Sequence, residues 1–153
     1  MAKSFSVFCL YADDVRHEVN GKVSYIGTYM GELNAILPVL PGNLARLAVS
    51  AFITVPIERK FNKGNIEVLW DETILQRIDF DSEQSSVFSS SKENADTDNA
   101  NGHIINALLV IEPMQLSGDG KVLVKVTLDD EVVMGNALKV KAKVPVAQDP
   151  LST

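Results

Sequence analysis

The sequence predicts an all-β protein: a single β-sandwich of Ig-like or C2-like appearance, with mostly antiparallel strands and one long polar loop. Three observations carry this prediction. Apolar residues recur with a period of two over most of the 153-residue chain, which is the spacing of strands. Turn residues interrupt these runs at roughly the 8–12-residue intervals that are typical of sandwiches. No long segment shows the 3.6-residue spacing of an amphipathic helix.

The first two strands form the clearest predicted hairpin. A mostly apolar run over residues 5–12, continued by 15–19, is typical of a strand covered on both faces. Asn20-Gly21 then favours a type I′ turn, because both residues tolerate positive φ, and residues 22–29 form the partner strand. Cys9 lies within the apolar run, so we expect a buried, inert thiol.

The rest of the chain continues as short strands separated by turns. Residues 31–37 could instead make two helical turns, and Pro38 and Pro41 then bracket a connection. The next strand stops at Pro56, which cannot donate to a central ladder. We expect the last strand to close the sheet. The strands expected after the connection are 45–55, 66–70, 73–80, 104–112, 121–128, 132–134 and 138–144.

We expect one domain, residues 1–145, with a flexible polar loop over 82–102 and an extended tail over 146–153. A loop of about 20 residues is long for a compact domain and is usually functional or mobile. Val87-Phe88 is an apolar pair inside this loop, a pattern typical of a short segment that folds onto a partner. The equally open alternative is that the pair packs on its own sandwich.

The charge of the chain is concentrated in one segment. The net charge is −6, which argues against a nucleic-acid partner. Residues 71–98 hold eight acids and two bases, and the remaining acids and bases balance. If this segment is a docking surface, its protein partner has a basic surface. The candidate docking acids are Asp79, Asp81, Glu83, Asp96 and Asp98.

Lys139, Lys141 and Lys143 alternate with small apolar residues, so the three lysines share one strand face. One interpretation is edge protection, because lysines on a terminal strand discourage pairing with another chain. The alternative is that they bind an acidic protein surface, including one on a neighbouring copy.

The chain lacks the motifs of common catalytic sites. It has two histidines, one cysteine, no nucleophile elbow and no phosphate loop, so we expect a non-enzymatic protein without a cofactor. A weaker alternative is a C2-like calcium site that gathers Asp13, Asp14, Asp129 and Asp130. Such acidic pairs are also common turn formers. Tyr25, Tyr29 and Trp70 are the aromatic candidates for a carbohydrate site.

No apolar stretch approaches the roughly 20 residues of a membrane helix, and Asp13-Asp14 cuts short any signal-peptide pattern at the N-terminus. The sequence therefore predicts a cytoplasmic protein without a membrane partner.

The N-terminal third carries a family resemblance. It contains Asp13-Asp14-Val15-Arg16, then a Gly21-Lys22 turn, then Ile26-Gly27-Thr28-Tyr29. This pattern resembles a bacterial and phage family of small β-sandwich proteins of unknown function. The resemblance implies a sandwich often carried by mobile elements and implies no activity.

Together these observations predict a protein-interaction or structural module that is homo-oligomeric or part of a larger assembly. The expected setting is a phage or prophage, as a capsid- or tail-associated component that can reach the virion. One alternative is an inhibitor or adaptor that sequesters a host protein. Another is a calcium-dependent or carbohydrate-binding sandwich.

Overall fold

A computed structural model of the chain describes residues 4–84 and 102–146. The protein is all-β with mostly antiparallel sheets, as the sequence predicts. The strands are β1 (Ser6–His17), β2 (Val23–Thr28), β3 (Glu32–Ile36), β4 (Gly42–Leu44), β5 (Leu47–Pro56), β6 (Lys63–Trp70), β7 (Thr73–Asp81), β8 (Gly102–Ile111), β9 (Met114–Leu116), β10 (Gly120–Leu128), β11 (Glu131–Met134) and β12 (Leu138–Lys143).

Two sheets enclose the core. Sheet A has the order β2-β1-β5-β8 and is antiparallel throughout. Sheet B has the order β3-β12-β10-β6-β7, with β11 also paired to β10, and β3 runs parallel to β12. A small third sheet joins β4 to β9. Alternate residues of β5 and β10, such as Val49, Ile53, Val124 and Val126, are fully buried in one apolar cluster. Period-two patterning thus places one side of each strand in a shared core.

The predicted β1–β2 hairpin is confirmed, with His17 paired to Val23. Asn20 and Gly21 both have positive φ, at 66° and 72°, as their residue types favour. The connection is longer than a two-residue turn, because the Glu18 N–H donates to the Lys22 carbonyl at 2.8 Å. The residues between them form a 3-10 turn.

The helical alternative for residues 31–37 does not occur: β3 alternates exposed positions with the buried Leu33 and Ala35. One prediction about strand position is wrong. The last strand does not close its sheet: β12 lies between β3 and β10. The parallel β3–β12 pair joins segments a hundred residues apart, and no local pattern in the chain signals it.

The predicted polar loop begins with a capped helical turn. Residues 82–84 are helical; the Gln84 N–H donates to Asp81 Oδ1 at 2.7 Å and the Asp81 N–H donates to Gln84 Oε1 at 3.1 Å. This reciprocal pair is a capping box, which satisfies two backbone donors at a helix start. The rest of the predicted loop up to 101, and the predicted tail from 147, lie outside the described residues.

One side chain joins the two sheets. The Cys9 N–H donates to Asn136 Oδ1 at 2.7 Å, and Asn136 Nδ2 donates to the Cys9 carbonyl at 2.9 Å. The Tyr11 hydroxyl donates to the Asn136 carbonyl at 2.7 Å. Because Asn136 lies between β11 and β12, these three bonds fasten sheet B to β1 of sheet A. We call this set the Asn136 clamp.

Gly135 lets the chain approach β1 closely enough for the clamp. A Cβ atom at this position would lie 2.8 Å from Cys9 Sγ and 3.1 Å from Val7 Cγ1. The Gly135 N–H also donates to the Val124 carbonyl at 2.8 Å. Any larger residue would push the β11–β12 connection away from β1.

We predict that Asn136→Ala lowers the free energy of unfolding by about 2–4 kcal/mol, because both Cys9 peptide groups lose their partner in a part-buried position. Urea denaturation followed by circular dichroism measures this. Asn43→Ala, on the exposed side of β4, is the control and should change stability by less than about 0.5 kcal/mol. Equal effects of the two substitutions would show that the clamp contributes no stability.

Burial raises the pKa of the Cys9 thiol to about 12, against an ordinary value of 9.0. Because the folded pKa is the higher one, stability is fully present below pH 9 and falls as pH rises towards 12. We expect the free energy of unfolding to drop by up to about 1.4 kcal/mol per pH unit in this window. The drop should be smaller in Cys9→Ala, which removes the titrating group. Urea denaturation of both proteins at pH 7 and pH 10.5 tests this; identical losses would contradict it.

Candidate functional site

The outer face of sheet A is uncharged across three strands. The pairing registers of β1 with β5 and of β5 with β8 align its side chains in four rows. None of these positions holds an acid or a base, although the solvent side of an antiparallel sheet is usually polar. We call this surface the open face. Its residues are Ser6, Thr54 and Ile104, then Phe8, Phe52 and Asn106, then Leu10, Ser50 and Leu108, then Ala12, Ala48 and Val110.

Large apolar side chains are exposed on the open face. Phe8 is 55% exposed, Ile104 42% and Val110 38%. The rings of Phe8 and Phe52 lie side by side with centroids 6.3 Å apart and planes tilted by 35°. Single exposed apolar residues are ordinary, whereas several on one uncharged sheet face are a feature of interaction surfaces.

One end of the open face is covered by β2. The Tyr25 hydroxyl lies 2.9 Å from Ser50 Oγ, and Ser50 donates to Asn106 Oδ1 at 2.9 Å. Ala12 and Ala48 beside them are buried. β2 pairs with β1 only from Ala12 onward, so in the described part of the chain Phe8 has a strand neighbour on one side only, β5. Because Phe8 is 55% exposed, the expectation that the first strand is covered on both faces is wrong at this residue.

A row of ion pairs borders the open face beyond its covered end. Arg46 Nη1 lies 2.7 Å from Asp14 Oδ1, and Arg46 Nη2 lies 3.1 Å from Glu112 Oε2. The hydrogen bond from Arg46 lowers the pKa of the Asp14 carboxyl. Glu112 and Asp14 together raise the pKa of the Arg46 guanidinium. The single guanidinium is shared between two carboxylates, and the three side chains form a polar rim.

The outer face of sheet B is charged, in contrast. Lys139, Lys141 and Lys143 alternate along β12 and therefore share one face, as predicted. Lys139 and Lys143 are exposed, and Lys141 Nζ lies 3.3 Å from Glu32 Oε1. Lys121 stands directly opposite Lys139 and adds to this basic stripe. Edge protection by these lysines is wrong, because β12 has neighbours on both sides and β3 forms the edge.

The described acids of the predicted docking surface have partners within the chain. Asp79 Oδ1 lies 2.9 Å from Arg77 Nη2, and Arg77 Nη1 lies 3.1 Å from Glu67 Oε1. Asp81 caps the helical turn, and Glu83 is exposed. The other predicted docking residues, Val87, Phe88, Asp96 and Asp98, lie outside the described residues.

The acidic pairs considered for calcium lie far apart along β1. Ser4, just before β1, donates to Glu131 beside the Asp129-Asp130 turn. Asp13 comes nine residues after Ser4, roughly 25–30 Å further along the strand. Asp129 Oδ1 also accepts the Asn62 and Lys63 N–H groups at 3.1 Å. Across residues 4–84 and 102–146, no three metal-ligating side chains come together.

The three aromatic residues considered for carbohydrate do not share a surface. Tyr25 covers the outer face of sheet A, and the Tyr29 hydroxyl donates to Asp13. Trp70 packs against the core, where its ring fills the space beside Gly120.

Comparison with known proteins gives no match, either to a family model or to a curated protein. In the part of the chain that the structure describes, no helix is long and apolar enough to cross a membrane. Sequence reasoning missed the open face as a site. Its signal, uncharged outward positions on residues 6–12, 48–54 and 104–110, becomes a surface only once the strand order is known.

We predict that Arg46→Met raises the pKa of Asp14 towards its ordinary value. NMR titration of the Asp14 carboxyl measures this, with Lys22→Met, in the hairpin connection, as the control that leaves the pKa unchanged. Because the folded pKa of Asp14 is lowered, its contribution to stability is present at neutral pH and is lost on acidification. The wild type should therefore lose more stability between pH 7 and pH 3 than Arg46→Met. An unchanged Asp14 pKa would contradict this.

Proposed function

We propose that the chain is a non-enzymatic protein-interaction or structural module that docks a protein on the open face. The observation that carries this proposal is the contiguous uncharged surface around the exposed Phe8 and the half-buried Phe52. Burial of such a surface is the main favourable term in protein association. Exposed aromatic residues are also the side chains most often found as binding hot spots.

The shape of the surface favours a protein over a small ligand. Small-molecule sites are concave and bury most of their ligand, whereas the open face is the side of a continuous sheet. The ion-pair row of Asp14, Arg46 and Glu112 supplies the polar rim that surrounds the apolar centre of most protein interfaces.

We place this module in a phage or prophage assembly, as a capsid- or tail-associated component. The N-terminal resemblance around Asp13-Asp14 and Ile26-Gly27 supports that setting. An inhibitor or adaptor that sequesters a host protein would use the same open face. The two differ in the partner: a particle protein in the first case and one host protein in the second.

We expect Phe8→Ser to weaken capture of the native partner about tenfold or more, because truncation of an aromatic hot spot costs roughly 2 kcal/mol. The immobilised wild-type chain and its variants are exposed to a lysate of the native host that contains assembled particles. Bound proteins are quantified by mass spectrometry.

Ile57→Ser is the matched control. The exposed fraction of Ile57, 54%, is nearly equal to that of Phe8, 55%. Ile57 lies in the turn after β5 and not on the open face. Unfolding curves confirm that both variants are folded. A partner that Phe8→Ser retains, or that Ile57→Ser loses equally, would overturn the proposal.

A further inference from the structure

We infer that a second copy of this chain binds along β8, through antiparallel pairing of β8 with the same strand of the other copy. This inference goes beyond the proposed function, because it uses the β8 edge of sheet A and not the open face. The open faces of the two copies would then join in one eight-stranded sheet.

Among the described residues, β8 is an edge strand. Its ten residues pair with β5 along their whole length, and the described residues place no strand on the other side. In an antiparallel ladder, alternate residues direct their N–H and C=O groups away from a given neighbour. A long edge of this kind is a template for another strand.

Three other edge strands carry features that oppose pairing, and β11, which pairs only with β10, has just four residues and begins with Glu131. β2 has six residues and contains Gly27, with φ at 67° and its backbone packed against Asp13. β3 has only five residues and begins with Glu32. β7 carries Arg77, Asp79 and a terminal aspartate, and its pairing with β6 has a register shift.

β8 has none of these features. It contains no acid, no lysine or arginine, no proline and no register shift, and its one glycine is its first residue. Natural proteins usually protect an edge with charge, proline, bulges or short length. Because the longest edge strand has none of these four protections, we expect another strand to pair with it.

Charge favours a second copy at this edge over any other edge. Two chains of net charge −6 repel each other. Pairing through β8 brings no like charges directly opposite one another, because the first charged residue is Glu112, beyond the strand end. β7 borders β8 on the same side of the sandwich, so its acids approach those of the other copy. Salt should therefore strengthen the dimer.

The strand is complementary to itself. Antiparallel pairing of identical strands has two-fold symmetry. If the cores of both copies lie on the same side of the joined sheet, an outward-facing residue of one β8 must pair with an outward-facing residue of the other. A two-fold axis at Ala107 places Ile104 opposite the partner's Val110. These are the most exposed large apolar residues of β8. An axis at Asn106 places Ile104 opposite the partner's Leu108.

Sedimentation velocity tests the inference. We expect the wild type to reach twice its 16.7 kDa mass at micromolar concentration and Ile104→Lys to raise the dimer dissociation constant about tenfold or more, since it places a charge opposite an apolar side chain. Thr54→Lys is the matched control: Thr54 is the cross-strand neighbour of Ile104 but lies inside the sheet. It should leave the dimer intact.

A cysteine cross-link tests the geometry. In Asn106→Cys, a short bismaleimide should join two copies, because either two-fold axis places these positions within about 8 Å. Asn34→Cys, exposed on the far edge strand β3, should not cross-link. The wild type is silent in this assay because its one thiol, Cys9, is buried.

The outcomes separate this inference from the proposed function. A wild-type monomer at 100 μM in both low and high salt overturns the inference, and equal weakening by Thr54→Lys and Ile104→Lys overturns edge pairing in favour of a face contact. Phe8→Ser should leave the β8 dimer intact. If the chain is a monomer and Phe8→Ser loses partner capture, the proposed function stands and this inference is refuted. If the chain is a β8 dimer and Phe8→Ser retains partner capture, this inference stands and the proposed function is refuted.

Discussion

The rest of the structure depends on the Asn136 clamp, where the β11–β12 connection of sheet B bonds to β1 of sheet A. β2 pairs with β1 only from Ala12 onward, so the peptide groups around Cys9 lack a strand neighbour on that side. The carboxamide of Asn136 bonds to Cys9 through one N–H donor and its carbonyl oxygen, the same two groups that a peptide bond offers. It takes the place of the missing strand, and because it comes from the β11–β12 connection it also fixes one sheet against the other.

The contrast between the two outer faces follows from this arrangement. With Gly135 packed against Cys9, β12 enters sheet B between β3 and β10, and its lysines face solvent. The same packing commits the inner sides of β1 and β5 to the core, which leaves Phe8 and Phe52 on the outside of sheet A. The charged face needs no partner to be stable in water. The open face exposes apolar area that only a partner can remove from water.

Local patterns in the sequence predict the strands and the first hairpin well. Asn20-Gly21 acts through backbone torsion and Pro56 through its missing N–H donor, so neither effect depends on distant residues. The position of β12 and the clamp depend on contacts between residues more than a hundred positions apart, which have no local signature. The open face is an intermediate case: Phe8, Phe52 and Ile104 are each apparent as outward residues of apolar strands, but their contiguity depends on the order β1-β5-β8.

The acidic segment takes on a second interpretation from its place in the fold. Its described part forms β7, whose Asp79 is compensated by Arg77, at the edge of sheet B beside β8. An acidic partner-binding surface would attract a basic protein. At this position the acids also prevent the edges of two B sheets from joining, because identical carboxylates would face each other. Pairing between copies is then left to the uncharged β8 edge of sheet A. The charges on β7 of sheet B thus disfavour pairing at that edge and leave sheet A as the sheet that associates.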